Sequence, residues 1–213
     1  MKKFLVIGNP IEHSLSPTLH NYWIKSNGIN AIYEKQKLDE GELERLILQI
    51  KKKKIDGANV TLPFKKTIIP FLDELTIEAE NTQSVNTLYL KDNKVIGHNT
   101  DIVGFETSIE KSEYNVFNKE VFILGAGGVV PSIIFALNKM KVSKIKISNR
   151  TKEKAENLKK FFKDIEIKEW GEVPNFDMII NATSLGLKKK DNLNLDFSLI
   201  SGNKFFYDVI YNP

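Results

Sequence analysis

Residues 120 to 137 read EVFILGAGGVVPSIIFAL, an apolar strand pattern that passes through a glycine-rich turn into an apolar helix. Gly125, Gly127 and Gly128 occupy the turn, which is the context that a dinucleotide-binding fingerprint requires. Glycine lets the backbone approach a pyrophosphate closely, and the helix N-terminus offers N–H groups and partial positive charge. The stretch predicts a Rossmann-like domain, although a tight connection without a ligand would show the same glycines. Val130 stands where a third glycine or alanine is usual, and we expect it to widen the helix-to-strand packing.

The next predicted strand, KIKIS at residues 144 to 148, indicates which dinucleotide would bind. NAD-binding versions of the motif carry an acidic residue at the end of this strand, where it receives the ribose hydroxyls. Here the strand is followed by Asn149, Arg150 and Thr151, with Lys154 one helical turn further on. Because arginine and lysine attract a 2′-phosphate, the pattern predicts NADP(H). Taken alone, Arg150 also fits an exposed arginine at a helix start.

Short β-rich runs alternate with helical patterns along the whole chain, which predicts an α/β fold with mostly parallel sheets. A polar stretch, KSEYNVFNK, separates the first half from the glycine-rich half. We therefore expect two domains joined by a helix and linker. The expected boundaries are residues 1–101, 102–116 and 117–213. Strands are predicted in the first half at 4–8, 31–38 and 56–61, followed by a hairpin that turns at Asp92 and Asn93.

Composition excludes several classes of protein. The 213 residues, 41% of them hydrophobic, suffice for ordinary cores, and no apolar run approaches the roughly 20 residues of a membrane span. The absence of cysteine removes disulfides and zinc–thiolate sites, and the three histidines lack metal-ligand spacing. The lysine clusters at 51–54 and 188–190 lack interleaved aromatics, so the net charge of +4 does not indicate nucleic-acid binding. We expect a cytoplasmic protein without metal, membrane or nucleic acid.

The stretch NVTLPFK, residues 59 to 65, predicts a binding site in the first domain. Asn59 and Thr61 share one face of an ending strand because side-chain direction alternates along a strand. Lys65 follows just inside the next helix. Ligands of open α/β sheets bind at the carboxyl ends of strands, so these three polar groups are candidates for substrate contact. Considered alone, however, Lys65 also fits a surface lysine.

Other polar clusters could join this site. Ser14 and Ser16 lie close to a predicted helix start, where their hydroxyls would make a cradle for a carboxylate. The stretches VNT, at 85–87, and HNTD, at 98–101, follow or end predicted strands. The alternatives are ordinary: the serines could cap the first helix, and Asp101 could cap the helix that follows it.

Taken together, eight stretches make the chain resemble the shikimate dehydrogenases. They are SLSP, NVTLPFK, VNT, NTD, GAGG, NRT, NATSLG and YDVIY, and they occur in that family's order. The resemblance implies reversible, NADPH-dependent reduction of 3-dehydroshikimate to shikimate, on the route to chorismate and the aromatic amino acids. It also implies a substrate-binding first domain, an NADP-binding second domain, a cleft between them that holds the active site, and a monomer or homodimer.

The resemblance also implies individual roles. Lys65 and Asp101 would be the catalytic pair that flanks the reacting carbon–oxygen bond. The substrate would be held at its carboxylate by Ser14 and Ser16, at its ring hydroxyls by Thr61 and Asn86, and from the second domain by Tyr211. NADP(H) would be held by Gly125, Ala126, Gly127, Gly128 and Val129 at the pyrophosphate, by Asn149, Arg150, Thr151 and Lys154 at the 2′-phosphate, and by Thr183 and Val209 towards the nicotinamide.

Removal of hydride from a secondary alcohol also requires removal of the hydroxyl proton, so a lysine at the site makes chemical sense. Lys65 could carry that proton, or it could orient the alcohol and stabilise developing negative charge; the sequence fits both roles.

The family differs from this chain most at the C-terminal end. Its members continue past YDVIY with a helix that brings a glutamine to the substrate, whereas this sequence ends at Pro213. Either the sequence is a fragment or the protein works without that helix, and we expect NADP binding to survive the loss better than turnover. Ile102 and Gln83, where the family usually has glycine, are smaller departures. Two alternatives remain: a quinate/shikimate dehydrogenase that uses NAD, and a catalytically silent NADP-binding protein or fragment.

Overall fold

A computed structural model describes residues 1–188 and 190–210. The chain divides into two compact units, Met1–Thr100 and Asp101–Pro213. Each unit contains one β-sheet with helices packed on it, so the predicted α/β fold with mostly parallel sheets is confirmed. Among the described residues, none of the helices combines the length and the apolar character needed to cross a bilayer.

The sheet of the first unit has six strands in the order β2-β1-β3-β5-β6-β4. The strands are β1 (Lys2–Gly8), β2 (Ala31–Lys37), β3 (Gly57–Val60), β4 (Glu74–Leu75), β5 (Thr87–Lys91) and β6 (Lys94–His98). Strand β1 lies parallel to β2 and β3, whereas β5 runs antiparallel to both β3 and β6. The predicted hairpin is therefore present, with positive φ angles at Asp92 and Asn93 as a two-residue turn requires.

The helices of the first unit are α1 (Ser16–Ser26), α2 (Leu43–Lys51), α3 (Phe64–Thr67) and α4 (Ile77–Thr82), with 3-10 turns at Glu40–Glu42 and Ile69–Phe71. Helix α2 buries Leu43, Leu46, Ile47 and Ile50, the spacing of one helical face. These side chains pack against one face of the sheet, in the same core as Leu5 of β1. The four-residue α3 begins directly after Pro63, which occupies its N-cap position.

The second unit begins with a helix and continues with a five-stranded parallel sheet in the order β11-β10-β7-β8-β9. Its helices are α5 (Asp101–Lys111), α6 (Val130–Lys139) and α7 (Lys152–Phe161). Its strands are β7 (Glu120–Leu124), β8 (Lys144–Ser148), β9 (Glu166–Lys168), β10 (Met178–Asn181) and β11 (Phe205–Asp208).

Strand β7 is buried on both faces, as expected for a parallel sheet covered on each side. Val121 and Ile123 belong to the core that includes α5 and α6, while Phe122 packs on the other face with Phe176. Val130, the first residue of α6, is fully buried in the first of these cores. The helix-to-sheet interface therefore contains the larger residue at the third position of the fingerprint.

Candidate substrate and nucleotide sites

The carboxyl end of β3 brings NVTLPFK beside the stretch VNT. The N–H of Val60 donates to the carbonyl of Asn86 at 2.8 Å, and the N–H of Val85 donates to the carbonyl of Lys65, also at 2.8 Å. The N–H of Thr61 is held by the carbonyl of Ile7 on β1, at 2.9 Å. Backbone hydrogen bonds thus place Thr61, Lys65 and Asn86 at one end of the first sheet, and the side chain of Lys65 is half-buried there.

The carboxamide of Asn86 is held in one orientation. Its oxygen accepts from the backbone N–H of Thr100 at 3.0 Å and from the hydroxyl of Thr87 at 2.9 Å. Its nitrogen donates to the hydroxyl of Thr100 at 2.9 Å. Because a backbone N–H can only donate, the oxygen of the Asn86 amide must face the backbone N–H of Thr100. Asn86 is 9% exposed, so the orientation is enforced inside the protein.

Asn59 lies among the same groups, but its two N–H donors are used within the protein. They donate to the carbonyl of Asn86 and to the hydroxyl of Thr87, each at 3.2 Å. The oxygen of Asn59 accepts from the hydroxyl of Tyr33 at 2.6 Å. Neither Tyr33 nor Thr87 was among the predicted site residues, although Thr87 ends the quoted stretch VNT.

The two serines lie where α1 begins. Ser16 is the first residue of the helix, and its N–H donates to the hydroxyl oxygen of Ser14 at 3.3 Å. Leu15 occupies the N-cap position, and no side chain caps the helix there. Among the described residues, the contact between Ser14 and Ser16 is therefore what supports the alternative that the serines cap α1. Both serines are half-buried beside a helix N-terminus, which favours negative charge.

Asp101, the second predicted catalytic residue, is the first residue of α5 and is half-buried. A carboxylate in the first helical turn interacts favourably with the helix dipole, so a structural contribution accompanies any catalytic one. Tyr211, predicted to contact substrate, lies outside the described residues.

The glycine-rich turn between β7 and α6 contains two kinds of glycine. Gly125 has a φ of 110°, and a Cβ there would lie 2.7 Å from the carbonyl oxygen of Ala182. Gly127 has no left-handed φ, and the nearest atom to a Cβ there would be 3.9 Å away. Packing therefore requires glycine at 125 and leaves space beside 127. That space fits the close approach of a phosphate, which a side chain would obstruct.

Cationic side chains are exposed where β8 ends and α7 begins. Asn149 donates to the carbonyl of Thr151 at 2.7 Å and closes the turn, while Arg150, Thr151 and Lys154 are exposed. Lys152, in contrast, forms an ion pair with Glu169. Among the described residues, no carboxylate lies within ion-pair distance of Arg150 or Lys154. Two cations at a helix N-terminus fit a phosphate dianion.

Asn181 organises the ends of β10 and β11, where Thr183 and Val209 lie. Its oxygen accepts from the N–H and the hydroxyl of Thr183, at 3.1 and 2.7 Å, and its nitrogen donates to Asp208 at 3.1 Å. Its backbone carbonyl accepts from the N–H of Val209, also at 3.1 Å. A pocket of about 340 Å³ opens beside Asn181 and Asp208. Both residues lie in stretches quoted above, NATSLG and YDVIY, but were not among the predicted site residues.

Comparison with known proteins identifies the family. Residues 6–88 match the model of the shikimate dehydrogenase substrate binding domain, and residues 108–189 match that of shikimate / quinate 5-dehydrogenase. The chain is 65% identical over 212 residues to a protein of Pelagibacter ubique named shikimate dehydrogenase (NADP(+)), covering all of this chain and 80% of that relative. The chain belongs to the shikimate dehydrogenase family. The predicted resemblance is therefore confirmed.

Solved members of the shikimate dehydrogenase family share the fold. The enzyme of Aquifex aeolicus superposes with a TM-score of 0.88 at 36% identity, covering 99% of this chain and 79% of that structure. The enzyme of Thermus thermophilus, solved in complex with NADP(H) and shikimate, gives 0.89 at 28% identity, covering 100% and 80%. The N-terminal substrate-binding domain and the Rossmann-like domain of the family thus correspond to the two sheets described above.

The two family matches contain most of the predicted site residues. The substrate-domain match spans the positions from Ser14 to Asn86, and the second match spans the glycine turn, Arg150 and Thr183. Asp101 falls between the two matches, and Val209 lies beyond the second. The roles of these individual residues stay predictions.

Proposed function

We propose that the chain is an NADP-dependent shikimate dehydrogenase that reversibly reduces 3-dehydroshikimate to shikimate, a step of the shikimate pathway to chorismate and the aromatic amino acids. The observation that carries the proposal is 65% identity, along the whole chain, to a relative named shikimate dehydrogenase (NADP(+)). The absence of cysteine suits a reducing compartment, so we place the enzyme in the cytoplasm. We further propose that it is a monomer or homodimer.

In the oxidation of shikimate, a C–H bond of the substrate breaks as hydride, the O–H bond of the same carbon loses its proton, and a C=O bond forms. NADP⁺, when bound, accepts the hydride. We propose that Lys65 and Asp101 act on the alcohol, with Lys65 taking the proton or stabilising negative charge on the oxygen. The half-buried setting of Lys65 beside Asn86 supports this, since two polar groups at one end of the sheet can reach the same substrate.

On the substrate side, we propose that Ser14 and Ser16 bind the carboxylate, because hydroxyls and a helix N-terminus together favour an anion. Thr61 and Asn86 bind ring hydroxyls, with Tyr211 as a further contact. Asn59 was predicted among the substrate contacts. Since both of its N–H donors bind protein acceptors, it has a supporting role in this proposal.

On the cofactor side, the turn from Gly125 to Val129 binds the pyrophosphate, and the open space at Gly127 supports this placement. The 2′-phosphate is bound by Asn149, Arg150, Thr151 and Lys154. Thr183 and Val209 line the nicotinamide end, held by their hydrogen bonds to Asn181.

A second candidate is a quinate/shikimate dehydrogenase that uses NAD, and the description of the second family match, which names quinate, favours it. The exposed cations Arg150 and Lys154 argue against NAD, because they have no phosphate to bind there when the ribose carries only hydroxyls.

One spectrophotometric experiment separates these functions. The purified chain is incubated with shikimate or quinate, each with NADP⁺ or NAD⁺, and formation of the reduced nucleotide is followed. We expect the fastest reduction with shikimate and NADP⁺. Preference for quinate with NAD⁺ would support the second candidate. Binding of NADP⁺ without oxidation of either substrate would identify a silent nucleotide-binding protein.

Substitution of Arg150 tests the cofactor assignment. We expect Arg150→Ala to weaken NADP⁺ binding about 10- to 100-fold, because a hydrogen bond to a charged group contributes about 1.5–3 kcal/mol. The affinity for NAD⁺, which lacks the 2′-phosphate, should not change. Both affinities are measured by calorimetric titration.

Lys152→Ala is the matched control for Arg150→Ala. It removes a cation from the same turn, but that cation is already paired with Glu169, so we expect little change in NADP⁺ affinity. Equal losses for the two variants, or an equal loss of NAD⁺ affinity in Arg150→Ala, would contradict a 2′-phosphate contact at Arg150.

A further inference from the structure

Tyr33 is held rigidly on the first sheet by α1. The carboxamide of Asn21 accepts from the N–H of Tyr33 at 2.9 Å and donates to its carbonyl at 2.8 Å. The ring of His20 stacks on the phenol ring with 4.2 Å between centroids and 4° between planes. Tyr33 is only 4% exposed, and burial raises the pKa of its hydroxyl well above the usual value. The hydroxyl therefore remains a proton donor across the physiological pH range.

The hydroxyl of Tyr33 donates to the oxygen of Asn59 at 2.6 Å. The direction of this bond follows from the other end of the same carboxamide. The nitrogen of Asn59 lies 3.2 Å from the backbone carbonyl of Asn86, which can only accept. The nitrogen must face that carbonyl, so the oxygen must face Tyr33 and the phenol must donate.

The second N–H of Asn59 continues the same donor-to-acceptor direction towards Asn86. It donates to the hydroxyl oxygen of Thr87 at 3.2 Å, and the hydroxyl of Thr87 directs its single proton to the oxygen of Asn86 at 2.9 Å. Both carboxamides are thereby fixed against a 180° flip. The chain of donors runs from Tyr33 through Asn59 and Thr87 to Asn86, and no group in it can reverse without breaking a neighbouring bond.

We propose that Tyr33 is a positioning residue for substrate binding: through Asn59 and Thr87 it reinforces the amide orientation, also held by the N–H of Thr100, with which Asn86 binds a ring hydroxyl of shikimate. The inference rests on the proposed function. Tyr33 acts on substrate binding only through these hydrogen bonds, which commit the oxygen of Asn86 to Thr87 and Thr100.

Removal of the Tyr33 hydroxyl tests this hydrogen-bonded relay, which runs from Tyr33 through Asn59 and Thr87 to Asn86. We expect Tyr33→Phe to raise KM for shikimate roughly 3- to 10-fold, the range set by loss of one neutral hydrogen bond, with kcat changed less than KM and NADP⁺ affinity unchanged. Tyr89→Phe is the matched control. Tyr33 and Tyr89 both line a groove of about 160 Å³ on the first sheet, but the hydroxyl of Tyr89 has no hydrogen-bond partner within residues 1–188 and 190–210. We expect wild-type KM for that variant.

Substitutions of Thr87 distinguish loss of the relay from a general packing defect. Thr87→Val keeps the shape but removes the hydroxyl, so KM should rise as in Tyr33→Phe, whereas Thr87→Ser should restore it. In Tyr33→Phe/Thr87→Val the two effects should not add, because one relay is already broken. Melting temperatures show whether each variant is folded.

The outcomes distinguish failure of the proposed function from failure of the inference about Tyr33. If the wild-type chain neither binds nor oxidises shikimate, the proposed function fails and the inference fails with it. If the wild type binds shikimate but Tyr33→Phe has an unchanged KM, or if the effects of Tyr33→Phe and Thr87→Val add fully, only the inference is overturned.

Discussion

Replacement of Lys65 by alanine is expected to lower kcat for shikimate oxidation by about 100- to 10,000-fold, the range that a positioned proton-transfer group contributes. The fold should survive, because the backbone carbonyl of Lys65 accepts from the N–H of Val85 at 2.8 Å whatever the side chain. NADP⁺ affinity should be unchanged, since the residues proposed to bind it belong to the second unit.

Lys66→Ala is the matched control for this prediction. Lys66 is the next residue of the same short helix and is exposed, so its removal changes the net charge equally without removing the half-buried amine. We expect kcat within about twofold of the wild type, as for most surface substitutions. Steady-state kinetics with shikimate and NADP⁺ measure both variants. A Lys65→Ala enzyme as active as Lys66→Ala would remove Lys65 from the mechanism.

A third substitution distinguishes the two roles open to Lys65. Glutamine at this position keeps an N–H donor but cannot exchange a proton. If the amine carries the proton, Lys65→Gln should be as slow as Lys65→Ala. If it orients the alcohol and stabilises charge, Lys65→Gln should recover a measurable part of kcat. The comparison needs only the same kinetic assay.

The elements that the sequence predicted well are those with strong local patterns. The apolar helix predicted after the glycine turn is Val130–Lys139, and the apolar strand predicted before the turn is Glu120–Leu124. A buried parallel strand and an apolar helix give continuous apolar runs, which are easy to recognise. Strand β4 has two residues and α4 has six, so neither completes a periodic pattern, and both were missed.

The residues of the site also divide into those that a local sequence pattern reveals and those that it does not. Lys65, Asn86 and the glycine turn were found because they lie in recognisable stretches. The hydroxyl of Tyr33 was not, because it reaches Asn59 across 26 residues, through the pairing of neighbouring strands. Only the register of β1 with β2 and β3 brings that pair together, and register depends on the folded sheet rather than on local residue type.

Gly125→Ala is expected to destabilise the second unit by roughly 2–6 kcal/mol, the sum of backbone strain and overpacking at one site. Gly125 has a φ of 110°, which side-chain-bearing residues rarely adopt. A Cβ there would also lie 2.7 Å from the carbonyl oxygen of Ala182 and 3.1 Å from the nitrogen of Thr183. Both are backbone atoms of the chain segment leaving β10, so neither can move aside as a flexible side chain would.

Gly127→Ala separates stability from binding in the same turn. Its Cβ would have no neighbour nearer than 3.9 Å, so the free energy of unfolding should change by less than about 1 kcal/mol. NADP⁺ affinity should fall, because the methyl group occupies the space proposed for the pyrophosphate. Denaturant unfolding followed by fluorescence of Trp170, in a Trp23→Phe background, reports the second unit alone, since the chain has two tryptophans, one in each unit. Equal destabilisation by the two substitutions would show that the turn requires both glycines for folding, and the assignment of Gly127 to the cofactor would lose its support.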